Sequence, residues 1–455
     1  MRFKNLIFST VFSLGALSVG AEPTATLTLT EARQIAQSAL LSGNPRLTQQ
    51  LANGLLAANP EDAHALLLLS AAEAELKNPT AARNAAAKAY RSGDSKTQKL
   101  QAAQMAAQFA LIEERPTLSQ IWLRRASMQT QTDEQSEIIS RAYGRVRSVN
   151  PWSVNLAFSV RPSDNVNNGA DKAIQVIEGE RLIGFLSRDA QALSGTIISG
   201  DVQTSYRLHA TKRSRTTLGG RLYVQRVLLS DDAERLENDD FDATYGEISL
   251  GHMFALGDRP GDHARFRLTR GTYWSADDTN YHLLRLDADR VWAVTPNTSF
   301  TLGASVAQYT RPGDDLQDSE SYSLRGRVSH GLENGDRVGF GLTYQQSNSD
   351  AVNRRSDQIS ARLTYGFAKA WGPAKARASL QIADAKYPDY VLGFITVPGG
   401  RSDTSAYADL SLFFEDYDYA GFAPTVTFRA GKTSSNVGRF DTREFSVNFG
   451  FQSKF

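Results

Sequence analysis

The residues whose spacing carries chemistry in this sequence are arginines and carboxylates placed at alternate positions. Arg207, Arg221, Arg265, Arg267, Arg325, Arg327, Arg362, Arg377 and Arg429 each stand in a segment where polar and apolar residues alternate. Glu247, Asp287, Asp289, Asp409 and Glu444 share the polar face of such segments. Alternation is the period of a β-strand, so these charges gather on one side of a sheet. The residue types of covalent or metal chemistry show no comparable order. His64, His209, His252, His263, His282 and His330 are scattered, and no His-Glu-x-x-His or paired His spacing occurs. There is no Gly-x-Ser-x-Gly elbow and no phosphate-binding glycine loop. The absence of cysteine removes disulfides, thiolate metal sites and cysteine nucleophiles together. The acidic run Asp231, Asp232, Glu234, Glu237, Asp239 and Asp240 reads as a solvated loop, because its spacing is not that of a calcium loop. The expectation is a protein that is not an enzyme and carries no cofactor or metal.

The elements that position the charges come from the chain's two halves. The 455 residues leave room for two or three domains, and the net charge of +1 argues against a nucleic-acid partner. A mean hydropathy of −0.37 with no long apolar run beyond the first twenty residues argues against membrane helices. It does not argue against a membrane barrel, whose alternating strands average out. Fourteen alternating segments follow Asn150-Pro151, near 152–160, 194–208, 214–228, 241–254, 263–274, 280–294, 297–310, 320–332, 335–347, 356–369, 373–384, 402–415, 420–431 and 440–455. Each is long enough to cross a bilayer at a tilt. Long connections alternate with short ones such as Thr295-Pro296-Asn297 and Glu333-Asn334-Gly335-Asp336. A large soluble sandwich or β-solenoid is the alternative, but it leaves the polar-against-apolar split of nearly every segment without a reason. A barrel whose ends share one side of the membrane needs an even strand count, which fourteen satisfies.

Residues 1–21 read as a secretory signal peptide: Arg2 and Lys4, then the apolar Leu6 to Leu17, then the small Val19 and Ala21 before a cut. From Thr28 to Arg147 the composition of Ala, Leu, Gln, Glu and Arg favours helix. Six helices are predicted near 30–42, 45–58, 61–76, 79–91, 96–113 and 116–131, with a seventh over 133–146. Pro45, Pro60 and Pro79 are placed at first helical positions. The order Leu55, Leu56, Asn59, Pro60, Leu67, Leu68, then small residues, Asn78-Pro79 and an alanine-rich run resembles tetratricopeptide repeats. An unrelated helical bundle remains the alternative. The predicted fold class is α+β, with TPR-like helical repeats over 22–149 and a 14-stranded antiparallel barrel over 150–455.

Charges facing lipid at mid-depth cost roughly 2–4 kcal/mol each, so the arginines and acids are expected to line a lumen. They either hold the lumen by ion pairing, or guide a polypeptide or close a gate. Tyr273, Trp274, Tyr281, Trp292, Tyr309, Tyr365, Trp371, Tyr387 and Tyr390 are expected in the aromatic girdles. The final strand, with Phe449, Phe451 and Phe455 at alternate positions, resembles the C-terminal signal read by the outer-membrane barrel assembly machinery.

Two segments narrow the reading. One runs from Pro151-Trp152-Ser153-Val154-Asn155 to Pro162-Ser163-Asp164-Asn165-Val166-Asn167-Asn168-Gly169-Ala170 and is read onto the first strand. The other holds Phe422-Ala423-Pro424, Arg429, Ser434-Ser435-Asn436, Phe440 and the closing strand Phe445 to Phe455. With helical repeats before them, these resemble the Slam family, the surface lipoprotein assembly modifiers or type XI secretion outer-membrane proteins. The resemblance implies a periplasmic TPR domain, a 14-stranded outer-membrane barrel and export of selected lipoproteins or soluble proteins. Implied partners are a lipoprotein or secreted cargo protein, the barrel assembly machinery, outer-membrane lipid and a periplasmic chaperone. The helical part here is short and weakly patterned for that family. Asn165, Asn167, Asn168, Ser434, Ser435 and Asn436 are turn formers at the outer ends of the first and last strand pairs, serving either the seam's geometry or a lateral gate or exit loop. The alternative function is a passive porin-like channel for small solutes.

Overall fold

The computed structural model describes residues 27–177, 183–230, 235–257, 259–276 and 278–453. The leader assigned to 1–21, the acids of 231–234 and the terminal Phe455 lie outside the described residues.

The first unit is helical: α1 (Leu29–Leu41), α2 (Pro45–Ala58), α3 (Ala63–Glu75), α4 (Pro79–Ser92), α5 (Lys96–Ile112), α6 (Pro116–Ser127) and α7 (Asp133–Val149). One turn design recurs three times. Gly43, Lys77 and Glu114 take a left-handed backbone, with φ of 74°, 64° and 58°. Each is followed by one residue and then by Pro45, Pro79 or Pro116 at the start of the next helix. In each turn the middle residue's N–H donates to a carbonyl five residues back: Asn44 to Ala39, Asn78 to Glu73, Arg115 to Ala110. This is a Schellman-type stop joined to a proline start, at a spacing close to the repeat of about 34 residues of tetratricopeptide units. The helices are therefore TPR-like hairpins, α1 with α2, α3 with α4 and α5 with α6. The expected proline start of α3 does not hold: Pro60 lies in the preceding turn. Asp62 caps α3 instead, accepting from the N–H groups of His64 and Ala65.

Alanine sets the packing. Ala36, Ala52, Ala86, Ala102, Ala103, Ala106 and Ala110 are fully buried, so neighbouring helices approach closely. Thr48 donates to the Ala36 carbonyl, Ser70 to Ala82 and Ser119 to Ala107, each tying one helix of a hairpin to the other. Leu100, Trp122, Leu123, Ile139 and Tyr143 fill the larger spaces under α4 to α7.

The second unit is a closed barrel of fourteen antiparallel strands. Its strands are β1 (Trp152–Ser163), β4 (Gly195–Ala210), β5 (Ser214–Leu229), β6 (Ala243–Ala255), β7 (His263–Ser275), β8 (Asp278–Thr295) and β9 (Thr298–Thr310). They continue as β10 (Ser319–Gly331), β11 (Arg337–Ser349), β12 (Ser356–Gly366), β13 (Lys375–Tyr387), β16 (Arg401–Phe413), β17 (Phe422–Ser435) and β18 (Thr442–Ser453). Two small hairpins, β2 (Ile174–Val176) with β3 (Ile183–Phe185) and β14 (Val391–Leu392) with β15 (Ile395–Thr396), ornament one rim. That rim carries the loops 164–194, 230–242 and 388–400 and is the long-loop rim. The opposite rim carries 211–213, 296–297 and 332–336, and there β1 begins and β18 ends. The long-and-short alternation is not strict, because only two residues separate β7 from β8 on the long-loop rim and 414–421 is a longer connection on the other.

The barrel is apolar outside. Val154, Leu156 and Phe158 on β1, Leu324 and Val328 on β10, and Phe445, Phe449 and Phe451 on β18 all point outward and are exposed. Such a belt satisfies its backbone within the closed ladder and gives lipid an apolar surface.

Candidate functional site in the barrel lumen

The ladder registers place the charged residues on the inner wall. Gln203 pairs with Arg221, Arg221 with Glu247, Arg267 with Asp287, and Asp409 with Arg429. One parity therefore carries the charges from strand to strand, as closure of the barrel demands. Arg207, Arg221, Arg265, Arg267, Arg325, Arg327, Arg362, Arg377, Arg429, Glu247, Asp409 and Glu444 all lie on this inward parity.

Two ionic bands organise the wall. In the first, Arg362 and Arg429 share Asp409 at 3.4 and 3.1 Å, and Ser379 donates to the same carboxylate. Arg429 also reaches Glu444 at 3.3 Å, and Glu444 takes Arg161 of β1 at 2.7 Å. The band thus runs from β12 through β18 and crosses the closing seam. In the second band, Asp287 holds Arg285 and Arg325 at 3.0 and 3.4 Å, and Asp289 holds Arg265 and Arg325 at 3.2 and 3.5 Å. Glu247 accepts the Tyr245 hydroxyl at 2.5 Å and lies 4.0 Å from Arg285. Arg221 pairs separately with Asp201 at 2.8 Å. Arg267, Arg327 and Arg377 are brought to the same wall but have no carboxylate partner among the described residues. Arg161 and Arg285 are band members beyond the sequence-predicted set, and Asp201 is a further acid of the wall. Each has the inward parity of its strand, so counting alternate positions from a known lumen residue finds them.

The aromatic assignment divides. Trp274, Trp292 and Tyr365 face outward, and Trp292 stacks on Phe300 at 5.3 Å. Trp371 sits in the turn after β12. Tyr273, Tyr281 and Tyr309 are not girdle residues. They share the inward parity; Tyr281 stacks on Tyr273 and meets Tyr309 edge-on, each at 5.2 Å between ring centroids. Tyr387 and Tyr390 also leave the girdle, because they belong to a cluster on the long-loop rim.

That cluster is built from three loops. Ile177, Tyr390, Val397 and Val437 are buried together, with Phe440 packed on them. The Arg401 guanidinium lies 3.3 Å from the Phe440 ring centroid and 4.3 Å from that of Tyr387, and its charge is met by Asp403 at 2.5 Å. Beside it lies a cavity of about 230 Å³ lined by wall residues such as Ser405 and Tyr407 and by Asn168 and Phe440 of the loops. The loops therefore cover part of the lumen at this rim.

The predicted seam residues form the hydrogen bonds of the same region. The Asn-Val-Asn motif lies in the loop after β1 rather than on the strand, because β1 ends at Ser163. Asn165 is buried and donates to the carbonyls of Gly169 and Arg443, the second across the seam. Asn167 donates to Asp189 and Gln191 and accepts from Leu193, which fixes the loop's return. Asn168 supplies a left-handed turn residue at φ 51°. Ser435 accepts from Val437, and Asn436 bonds to both Ser402 and Gly400. Ser434 pairs with Thr404 at the end of β17. Phe445 donates its N–H to Asp164, a further stitch from β18 to the first loop.

The seam itself is thin. Among the described residues β1 meets β18 through Phe158 with Phe451, Ser159 with Gly450, Val160 with Phe449 and Ser163 with Ser446. On its other side β1 pairs with β4 without a break from Trp152 to Ser163. Pro162 interrupts the seam because it has no N–H for the ladder. Gly450 permits the close approach, since a Cβ there would lie 2.9 Å from the Phe158 carbonyl oxygen.

Residues 284–455, from within β8 to the end of the chain, match the surface lipoprotein assembly modifier family model. This is the family that the sequence motifs resemble. No curated protein matches the chain. Among solved structures, the type III secretion translocator chaperone SycD of Yersinia enterocolitica is 14% identical, covering 26% of this chain and 83% of its own at a TM-score of 0.25. An outer-membrane channel of Pseudomonas putida F1 is 13% identical, covering 66% of this chain and 94% of its own at 0.36. A loop-deleted OmpT of Vibrio cholerae is 9% identical, covering 67% and 99% at 0.32. The closed apolar-belted barrel and the family match make this an outer-membrane barrel protein.

Proposed function

We propose that the protein moves specific cargo proteins, surface lipoproteins or soluble secreted proteins, across the outer membrane. The observation that carries this reading is the joining of TPR-like hairpins to a barrel whose final strands match the surface lipoprotein assembly modifiers. TPR-like stacks offer surfaces for extended peptides or carrier proteins, and a passive pore has no use for one. In this reading residues 1–21 direct export, 22–149 stand in the periplasm, and 150–455 form the barrel that the assembly machinery inserts through its last strand. The periplasmic side follows from the general rule that outer-membrane barrels keep their tight turns inside. The lumen arginines and acids provide a charged route across the lipid, and the capped rim over Asn168 and Phe440 is the exit that opens for cargo. The reading involves no catalytic residue and no cofactor. Work comes from cargo folding outside or from partner proteins.

Removal of residues 28–145 tests it. The expected outcome is a barrel still present in outer membranes, with faster gel migration when unboiled, and cargo missing from protease-shaved cell surfaces. Normal surface delivery by the shortened chain would remove the helical region from the account.

A passive porin-like channel is the second reading. The polar wall favours it, but the loop cap and the helical unit are then without a task.

A further inference from the structure

The ion pairing of the lumen is uneven along its length. Arg215, Arg267, Arg327, Arg337 and Arg377 all have inward parity and lie in the half of their strands nearer the short-turn rim. All five are exposed. None has a carboxylate partner among the described residues. The wall acids within reach are already held. Asp287 has Arg285 and Arg325, Asp289 has Arg265 and Arg325, and Asp409 has Arg362 and Arg429. Even Arg267, directly across the ladder from Asp287, is left without it. Lys375, also inward at this rim, is paired with Glu415. The surplus guanidinia are spread over β5, β7, β10, β11 and β13, from Arg337 at the first residue of its strand up to Arg267 across from Asp287, so they are distributed around the wall of that half.

Unpaired guanidinia on a rigid wall around a narrow aqueous space focus their field into it. Each presents forked N–H donors that match a carboxylate, and none must break an existing pair to bind one. We infer that the short-turn half of the lumen is a docking site for a carboxylate-rich segment of the transported protein. This rests on the translocator reading and names the chemistry of its cargo.

The test uses the full-length protein in detergent and a fluorescent glutamate decamer, with a lysine decamer as control. The glutamate peptide is expected to bind and the lysine peptide to fail. Salt at about 0.5 M should release the bound peptide, because it shortens the screening length to a few ångströms. The combined change Arg267→Gln, Arg327→Gln and Arg377→Gln should weaken binding about tenfold or more, as the loss of three attractive charges requires. The matching lysine replacements should retain most of it. Faster migration of the unboiled glutamine variant confirms its fold, and the lysine variant and salt arm stand should it fail to assemble. Equal binding by the glutamine variant, or equal binding of both peptides, would overturn the inference. Displacement of the decamer by inorganic phosphate at matched charge would also overturn it, making the wall a site for free anions. A failure of the translocator reading shows elsewhere, as a surface protein profile unchanged by loss of the protein.

Discussion

Leu41 in the helical unit and Ile248 in the barrel are both exposed, at 81% and 66%, yet the two exposures have opposite meanings. Around Leu41 the buried positions of α1 are alanines and the exposed ones are mostly polar, with Leu29 and Ile35 the other exposed apolar residues, so the leucine is a scattered apolar side chain of the kind a water-facing surface tolerates. Around Ile248 the outward neighbours are Leu250 and Leu268, and the inward ones are Glu247 and Arg221. The barrel is turned inside out relative to the helices because its outer solvent is lipid. Accessibility alone therefore does not say which residues a fold depends on; the solvent must be named first.

The strongest way to break the comparison from the helical side is Trp122→Ala. Trp122 is buried, edge-on to Tyr90 at 5.6 Å, and its removal should cost the helical unit about 3–5 kcal/mol. Limited proteolysis of the full chain should show the helices lost while the unboiled barrel still migrates fast. Next is the matched pair Ile248→Arg and Leu41→Arg. The first should destabilise the barrel by about 2–4 kcal/mol and lower its level in outer membranes. The second should change stability by less than about 0.5 kcal/mol. Equal effects would mean that the outward face of β6 does not meet lipid.

Smaller is Glu444→Gln, which leaves Arg161 and Arg429 without their shared carboxylate at the seam. These groups are partly exposed, so the cost is about 1 kcal/mol or less, read as a lower midpoint of heat-induced loss of fast migration. The smallest effect belongs to the cap of α1. Glu31 accepts from the Thr28 backbone N–H and then from its hydroxyl, and these hold its carboxyl below the ordinary value. A lowered value means that the cap's contribution is present above the ordinary carboxylate range and lost as pH falls through the folded one. Glu31→Gln should remove that acid dependence from the α1 helicity followed by amide exchange, and the barrel should be indifferent.

How much was legible in sequence follows the same division. Strand period and lumen parity were readable because one face must be polar and the other apolar, which fixes register without any contact information. The helical pairing was readable from Asn78-Pro79 and the alanine run. The repeat of the turn was not, because two of its three left-handed residues, Lys77 and Glu114, are not glycine. Tyr273, Tyr281 and Tyr309 depart from the girdle expectation because a tyrosine near a strand end suits a girdle on either face, and only the register decides. The partners of the arginines were also out of reach, since Arg161 and Glu444 meet only when the barrel closes.

The central claim, that the protein delivers cargo to the cell surface, is tested most directly by comparing intact cells with and without it. Surface proteins released by protease from wild-type, null and complemented cells are to be identified, with small-solute uptake measured in parallel. The account predicts that one or a few proteins vanish from the null surface, return on complementation, and accumulate inside the outer membrane, with uptake unchanged. An unaltered surface profile together with reduced uptake would contradict it and establish the barrel as a solute channel.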